Sequence, residues 1–199
     1  MIEFYTNPHS RGRIVRWMLE EIGAPYKTTV IEYGPPMKAE TYLAINPMGK
    51  VPSIIHQGQV VTECAAICAY LADAFPDASL APETANRAAY YRWLFFAAGP
   101  VEAAVTDKAL GIEIPEDRQG MVGYGDLSLA VDVLEGAVTG SAYVAGNAFT
   151  AADVYVGSQV IWGMQFGSIE PRTAFKDYAE RLTSRAAYQR AQDLDGPMG

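Results

Sequence analysis

Three short segments of the 199-residue chain carry residue types that could do chemistry. The first is Asn7-Pro8-His9-Ser10, an amide, an imidazole and a hydroxyl in turn-forming sequence just before a helical pattern. A helix starting at Arg11 would aim its N-terminus at these groups. That end favours negative charge and lowers the pKa of a nearby thiol. A free thiol titrates near ~8.5, and a hydrogen bond to the thiolate raises the ionised fraction at neutral pH. The same residues would serve equally as a plain helix cap, through Ser10 or Asn7. The second segment is Val51-Pro52. Proline at the start of a strand lacks a donor and is awkward inside a sheet. A cis bond there would turn the backbone of Val51 outward, where its N–H and C=O could hold an extended peptide by strand addition. A trans edge proline is the alternative. The third is Thr62-Glu63-Cys64, with Thr62 suited to an N-cap and Glu63 to a first helical turn. Helix N-termini also bind anions through their free N–H groups.

Other chemistry-bearing residues read as structural. Thr150-Ala151-Ala152-Asp153 matches a capping box and precedes Val154, Tyr155 and Val156, so it marks the start of a buried helix. The two cysteines, Cys64 and Cys68, share one helical face with no His or further Cys nearby to complete a metal site. They read as buried small hydrophobes, and a disulfide within one turn would not meet the geometry of the bond. His9 reads as a solvated side chain and His56 as a structural strand residue; neither is assigned a role.

The elements that must position these groups follow from periodicity. Residues 2–6 form a β-type run. From Arg11, the residues Ile14, Val15, Met18, Leu19 and Ile22 make one apolar helical face, closed by Gly23. Residues 26–31 read as a second strand, which implies a parallel pair with a crossover. A short helical stretch at 38–44 and the turn Asn46-Pro47-Met48-Gly49 come next. Residues 51–56 and 59–62, separated by Gln57-Gly58, read as a hairpin. A helix over 63–75 is stopped by Pro76. Residues 78–86, rich in Ala, Pro and Ser, read as a linker between a 1–77 domain and an 87–199 domain. The latter shows helical patterns at 87–110, 116–138, 150–166 and 171–194, the last broken near Thr183-Ser184.

The formal charge of −8 disfavours nucleic-acid binding, which needs a basic footprint. No apolar run approaches the roughly 18 residues of a spanning helix, and the acidic start of the chain does not read as a secretory signal. No membrane partner is expected. Cysteine usage points to the reducing cytoplasm.

Taken in order, the segments Asn7-Pro8-His9-Ser10-Arg11, Val15-Arg16-Trp17 through Glu20-Glu21-Ile22-Gly23, Asn46-Pro47-Met48-Gly49-Lys50-Val51-Pro52, Thr62-Glu63-Cys64 and Phe149-Thr150-Ala151-Ala152-Asp153 resemble the glutathione transferase superfamily over nearly the whole chain. The resemblance implies an α/β thioredoxin-like N-terminal domain (βαβ-α-ββα) and an all-α C-terminal domain. It implies that Pro52 is cis and that Val51 pairs its backbone with the cysteinyl part of glutathione. Glu63 and Cys64 match the acidic-residue-plus-serine pair that holds the γ-glutamyl end, with cysteine replacing serine. Lys50 and Lys38 match positions that approach the glycyl carboxylate. At the thiol position the sequence departs from the family, with Asn7 where many members have serine or cysteine. Ser10 is favoured as the thiol partner, Asn7 follows, and Tyr5 and Thr6 lie just before the turn. The missing cysteine argues against thiol-exchange chemistry.

The implied reaction is conjugation of glutathione, as co-substrate and without a metal, to a small hydrophobic electrophile. Tyr90, Tyr91, Trp93, Phe95, Phe96, Trp162 and Phe166 supply both core and acceptor pocket. A homodimer is implied. A glutathione-dependent peroxidase, isomerase or dehalogenase, or a non-catalytic binding module, are the competing readings.

Overall fold

The structure is a computed structural model, described over residues 1–197. The described residues divide into two compact units, one of residues 1–80 with 184–197 and one of residues 81–183.

The first unit is a mixed four-stranded sheet in the order β2-β1-β3-β4 with helices packed on it. Strand β1 (Ile2–Thr6) runs parallel to β2 (Tyr26–Val30) through the crossover helix α1 (Gly12–Ile22). The hairpin β3 (Ser53–His56) and β4 (Gln59–Thr62) pairs antiparallel to β1 through β3. A short helix α2 (Glu40–Leu43) precedes the hairpin and α3 (Cys64–Ala74) follows it. The N-terminal half is therefore the βαβ-α-ββα order of a thioredoxin-like domain. Alternation along β1 buries Ile2, Phe4 and Thr6 beneath α1. The turn onto α1 is tight because a Cβ on Gly12 would collide with the Thr6 hydroxyl.

Helix α1 is covered on two sides. Ile14, Val15, Met18 and Leu19 are fully buried, and so are Arg13, Arg16 and Trp17. The polar residues are covered by the last helix, which runs over Ala186–Asp195. Residues 87–199 were expected to form one C-terminal domain. The structure instead places 184–197 with the sheet, because the arginines and glutamates of α1 are ion-paired and hydrogen-bonded to that helix. Arg16 meets Asp195 at 3.1 Å, Arg185 meets Glu21 at 2.7 Å, and Arg190 meets Glu20 at 3.1 Å. The Trp17 ring packs edge-on against Tyr188, with centroids 4.9 Å apart.

The second unit is helical. Its first helix starts as α4 (Ala88–Phe96), widens to a π-turn at Ala97–Val101 around Pro100 and continues as α5 (Glu102–Ala109). The expected helix over 116–138 is shorter. A 3-10 turn covers Glu116–Met121, and α6 runs over Leu127–Thr139, started by Asp126, whose carboxylate accepts from Leu129 N–H at 2.9 Å. Helix α7 (Ala151–Gln165) is buried nearly all round and forms the centre of this unit. Helix α8 (Thr173–Thr183) packs on α7, and the helix at Ala186–Asp195 is α9. The capping box at α7 is present: Thr150 and Asp153 bond reciprocally. Asp153 also accepts from Val144 N–H and Tyr178 O–H, both at 2.8 Å. Burial pushes its carboxyl pKa up, and these hydrogen bonds oppose the shift.

Candidate functional site

Strand register brings the chemistry-bearing segments to one end of the sheet. Tyr5 lies opposite Ser53, and Ser53 lies opposite Thr62. The turn after β1, the loop before β3 and the start of α3 are therefore neighbours. The Cys64 thiol reaches the Arg11 carbonyl at 3.6 Å, which ties the beginnings of α1 and α3 together.

Each segment is held by its own hydrogen bonds. In the turn, Asn7 is buried; its side-chain oxygen accepts from His9 N–H at 3.0 Å and its amide donates to the Ile31 carbonyl at 3.1 Å. Ser10 is partly exposed. Its hydroxyl donates to the Asn7 carbonyl at 2.7 Å and accepts from Gly12 N–H at 2.9 Å, which caps the first turn of α1. Tyr33 O–H donates to the His9 carbonyl at 2.9 Å. Tyr5 lies on the other face of β1 and donates to Glu3 at 2.9 Å. Burial and the Glu3 carboxylate raise its pKa, so it is a poorer proton donor than an ordinary tyrosine.

The Val51-Pro52 bond is cis. The preceding loop is anchored at the Lys50 carbonyl, which accepts from Tyr42 O–H and from the Asn46 amide, both at 2.7 Å. Lys38 donates to the carbonyls of Met48 at 2.9 Å and Gly49 at 3.1 Å. Gly49 has φ +57°, and a Cβ there would sit 2.6 Å from the Met37 carbonyl oxygen. These contacts leave the Val51 N–H and C=O without an internal partner among the described residues, and the Lys50 side chain is exposed.

At α3 the N-cap is Glu63, where Thr62 was expected: Thr62 is the last ladder residue of β4, so the chain turns one residue later. Glu63 adopts φ 64°, ψ 116°, a conformation side chains rarely take, and its exposed carboxylate makes no cap bond. Neither Cys64 nor Cys68 is in a disulfide, and both are buried.

The residues that reading by segment missed are Tyr33 and Arg13. Arg13 donates to the Pro8 carbonyl at 3.2 Å and so belongs to the turn. Nothing in local sequence marks either one.

In the helical unit Tyr90 and Trp93 are core residues, Tyr91, Phe95 and Phe166 are exposed, and Phe96 and Trp162 are half-buried. A cleft of about 300 Å³ lies beside α5, lined by the apolar Ala104, Ile112, Ile114, Tyr124 and Leu127 and by the polar Asp107, Lys108, Glu113, Gln119 and Asp126. Tyr124 O–H donates to Asp107 at 2.6 Å.

A four-stranded mixed sheet in βαβ-α-ββα order, with a cis-proline loop and two helix N-termini at one end, followed by a helical unit, defines a thioredoxin-like fold class. Comparison with known proteins narrows the class. Residues 10–74 match the family described as glutathione S-transferase, N-terminal domain. The glutathione S-transferase GstA of Escherichia coli O157:H7 is 27% identical over 161 residues, 79% of this chain and 79% of its own length. A glutathione transferase of Methylococcus capsulatus superposes with a TM-score of 0.81 at 26% identity, covering 98% of this chain and 99% of that one. A Sulfitobacter homolog, solved with bound glutathione, gives a TM-score of 0.80 at 22% identity over 98% of each chain. The family match, the curated relative and the solved structures together support the glutathione S-transferase superfamily.

Proposed function

We propose that the protein binds glutathione at this end of the sheet, activates its thiol and conjugates it to a small apolar electrophile. The observation that carries this reading is the register Tyr5–Ser53–Thr62. It sets a backbone N–H and C=O pair at Val51 between two helix N-termini, the arrangement an extended peptide with a central thiol and terminal carboxylates requires. In this reading Val51 pairs with the cysteinyl residue, beside Pro52. The Glu63 carboxylate receives the γ-glutamyl ammonium, and the Cys64 N–H at the start of α3 meets the adjoining carboxylate. Lys50 and Lys38 face the glycyl carboxylate, Lys38 with the donor capacity left by its two carbonyl contacts. Ser10 stabilises the thiolate at the N-terminus of α1, since it is partly exposed while Asn7 is buried. Tyr5 takes no direct part, being turned to Glu3. The glutathione bound in the Sulfitobacter relative supports the ligand. The apolar part of the helical cleft's mixed lining, Ala104, Ile112, Ile114, Tyr124 and Leu127, supports a small hydrophobic acceptor. A homodimer and a cytoplasmic setting, which suits two cysteines outside any disulfide, belong to the same reading.

A binding module without catalysis is the second reading. It is favoured by one feature: the Ser10 proton is already donated to the Asn7 carbonyl. Calorimetric titration with glutathione, followed by thiolate absorbance of the complex across pH, separates the two. Conjugation predicts binding with a bound-thiol pKa below ~8.5, raised by up to about one unit in Ser10→Ala. A depressed pKa that is unchanged in Ser10→Ala assigns the role to Asn7. Binding with an unshifted thiol leaves the module, and no binding at millimolar glutathione ends both.

A further inference from the structure

We propose that Arg13 is a positioning residue for the thiol-site turn, and that through it the C-terminal helix α9 sets that turn's geometry. Arg13 is 3% exposed, and its guanidinium bridges two parts of the chain. One terminal nitrogen donates to the Pro8 carbonyl at 3.2 Å, in the middle of the turn. The other donates to the Gln192 side chain at 2.6 Å and to the Gly196 carbonyl at 2.7 Å, at the end of α9. The first nitrogen also lies 3.5 Å from the Asp195 carbonyl. The last carbonyls of a helix have no partner within it, and a cation placed there satisfies them and opposes the helix dipole. A guanidinium is planar, so fixing one edge on α9 fixes the other edge on Pro8. Arg16 keeps α9 in place through Asp195, and its other edge holds Thr28 at 2.7 Å. The turn is gripped on its opposite side by the Asn7–Ile31 and Tyr33–His9 hydrogen bonds. Pro8 has no N–H and Ser10 is occupied with its own cap, so the Pro8 carbonyl is the handle through which α9 reaches the turn.

The role of this turn in thiol activation rests on the function proposed above; the mechanical link does not. The test uses the full chain. Amide hydrogen exchange is measured at Ser10 and Gly12, whose N–H groups bond to the Asn7 carbonyl and the Ser10 hydroxyl. Arg13→Gln and Gln192→Ala are compared with Arg190→Ala, which loosens the outer edge of α9 without touching the turn. Arg13→Gln is expected to speed exchange at both amides by about 3- to 10-fold, the range a single intramolecular hydrogen bond is worth. Gln192→Ala is expected to do so to a lesser degree, and Arg190→Ala not at all. Glutathione binding, where present, should show a raised bound-thiol pKa in the first two variants and none in the third. Unchanged exchange in a folded Arg13→Gln protein, or equal loosening by Arg190→Ala, overturns the proposal. Should Arg13→Gln fail to fold, Gln192→Ala decides it alone, since that variant keeps the guanidinium. A wild-type protein that does not bind glutathione defeats the proposed function and leaves the exchange measurement to decide this link.

Discussion

Glu63 holds its backbone at φ 64°, ψ 116° with an exposed side chain and no cap bond. A non-glycine residue in such a region costs on the order of 1–3 kcal/mol, and strain of this kind clusters at ligand sites. Capping does not explain the conformation, since the carboxylate accepts nothing from α3. The proposed function gives the conformation a use, because the turn presents the carboxylate at the start of the helix. The two explanations part in Glu63→Gly. Glycine reaches positive φ at less cost than glutamate, so the variant should unfold at higher denaturant, with stability raised by up to about 1 kcal/mol. Its glutathione affinity should fall by about tenfold or more through loss of a charge-assisted contact. Unaltered affinity in titration would move the γ-glutamyl site elsewhere. Sequence pointed to Glu63 by its place after a strand and before a helix. The one-residue shift of the cap from Thr62 to Glu63 was not legible, because both residues suit a helix start and only the ladder to Ser53 decides between them.

Elements with a strong local signal were read correctly, and those set by tertiary packing were not. The βαβ crossover, the Gln57-Gly58 hairpin and the box at Thr150 each follow from residues within a few positions of one another. The helix expected over 116–138 begins only at Leu127. Gly120, Gly123 and Gly125 break the earlier stretch, and Asp126 before Leu127 is the true start signal. The box at α7 does more than its motif states. Asp153 accepts from Val144 N–H, Thr150 N–H and O–H, and Tyr178 O–H, all in a fully buried setting. Asp153→Ala would orphan these donors together, at a cost of about 3–5 kcal/mol. Urea unfolding followed by circular dichroism should show the midpoint fall accordingly, whereas Asp126→Ala, at a solvent-exposed cap, should lose only about 1 kcal/mol. Equal losses would show that the buried network adds nothing to ordinary capping.

At the scale of the molecule, the sheet unit is made from both ends of the chain, and this the sequence did not disclose. Arg13, Arg16, Glu20 and Glu21 lie on the polar side of an amphipathic pattern, and such a side ordinarily faces water. Their partners lie far away in sequence, up to 183 residues in the case of Arg13 and Gly196. Periodicity has no access to pairings of that range. The consequence is that residues 1–80 should not be self-sufficient. Without α9, the outer face of Trp17 loses Tyr188, and two guanidiniums lose the carboxylate and carbonyls that now surround them. Half of a tryptophan's buried area at ~25 cal/mol per Å² is about 2–3 kcal/mol, and the lost hydrogen bonds add to it. A total of about 3–6 kcal/mol is a large share of the 5–15 kcal/mol that holds a typical domain together. Trp17 is the single tryptophan of this unit, the others being Trp93 and Trp162. In a Trp93→Phe, Trp162→Phe background its fluorescence therefore reports on the sheet unit alone. Deleting residues 184–199 should shift that emission to the red and lower its unfolding midpoint. Unchanged emission and midpoint would mean that α9 rests on a sheet unit already complete without it.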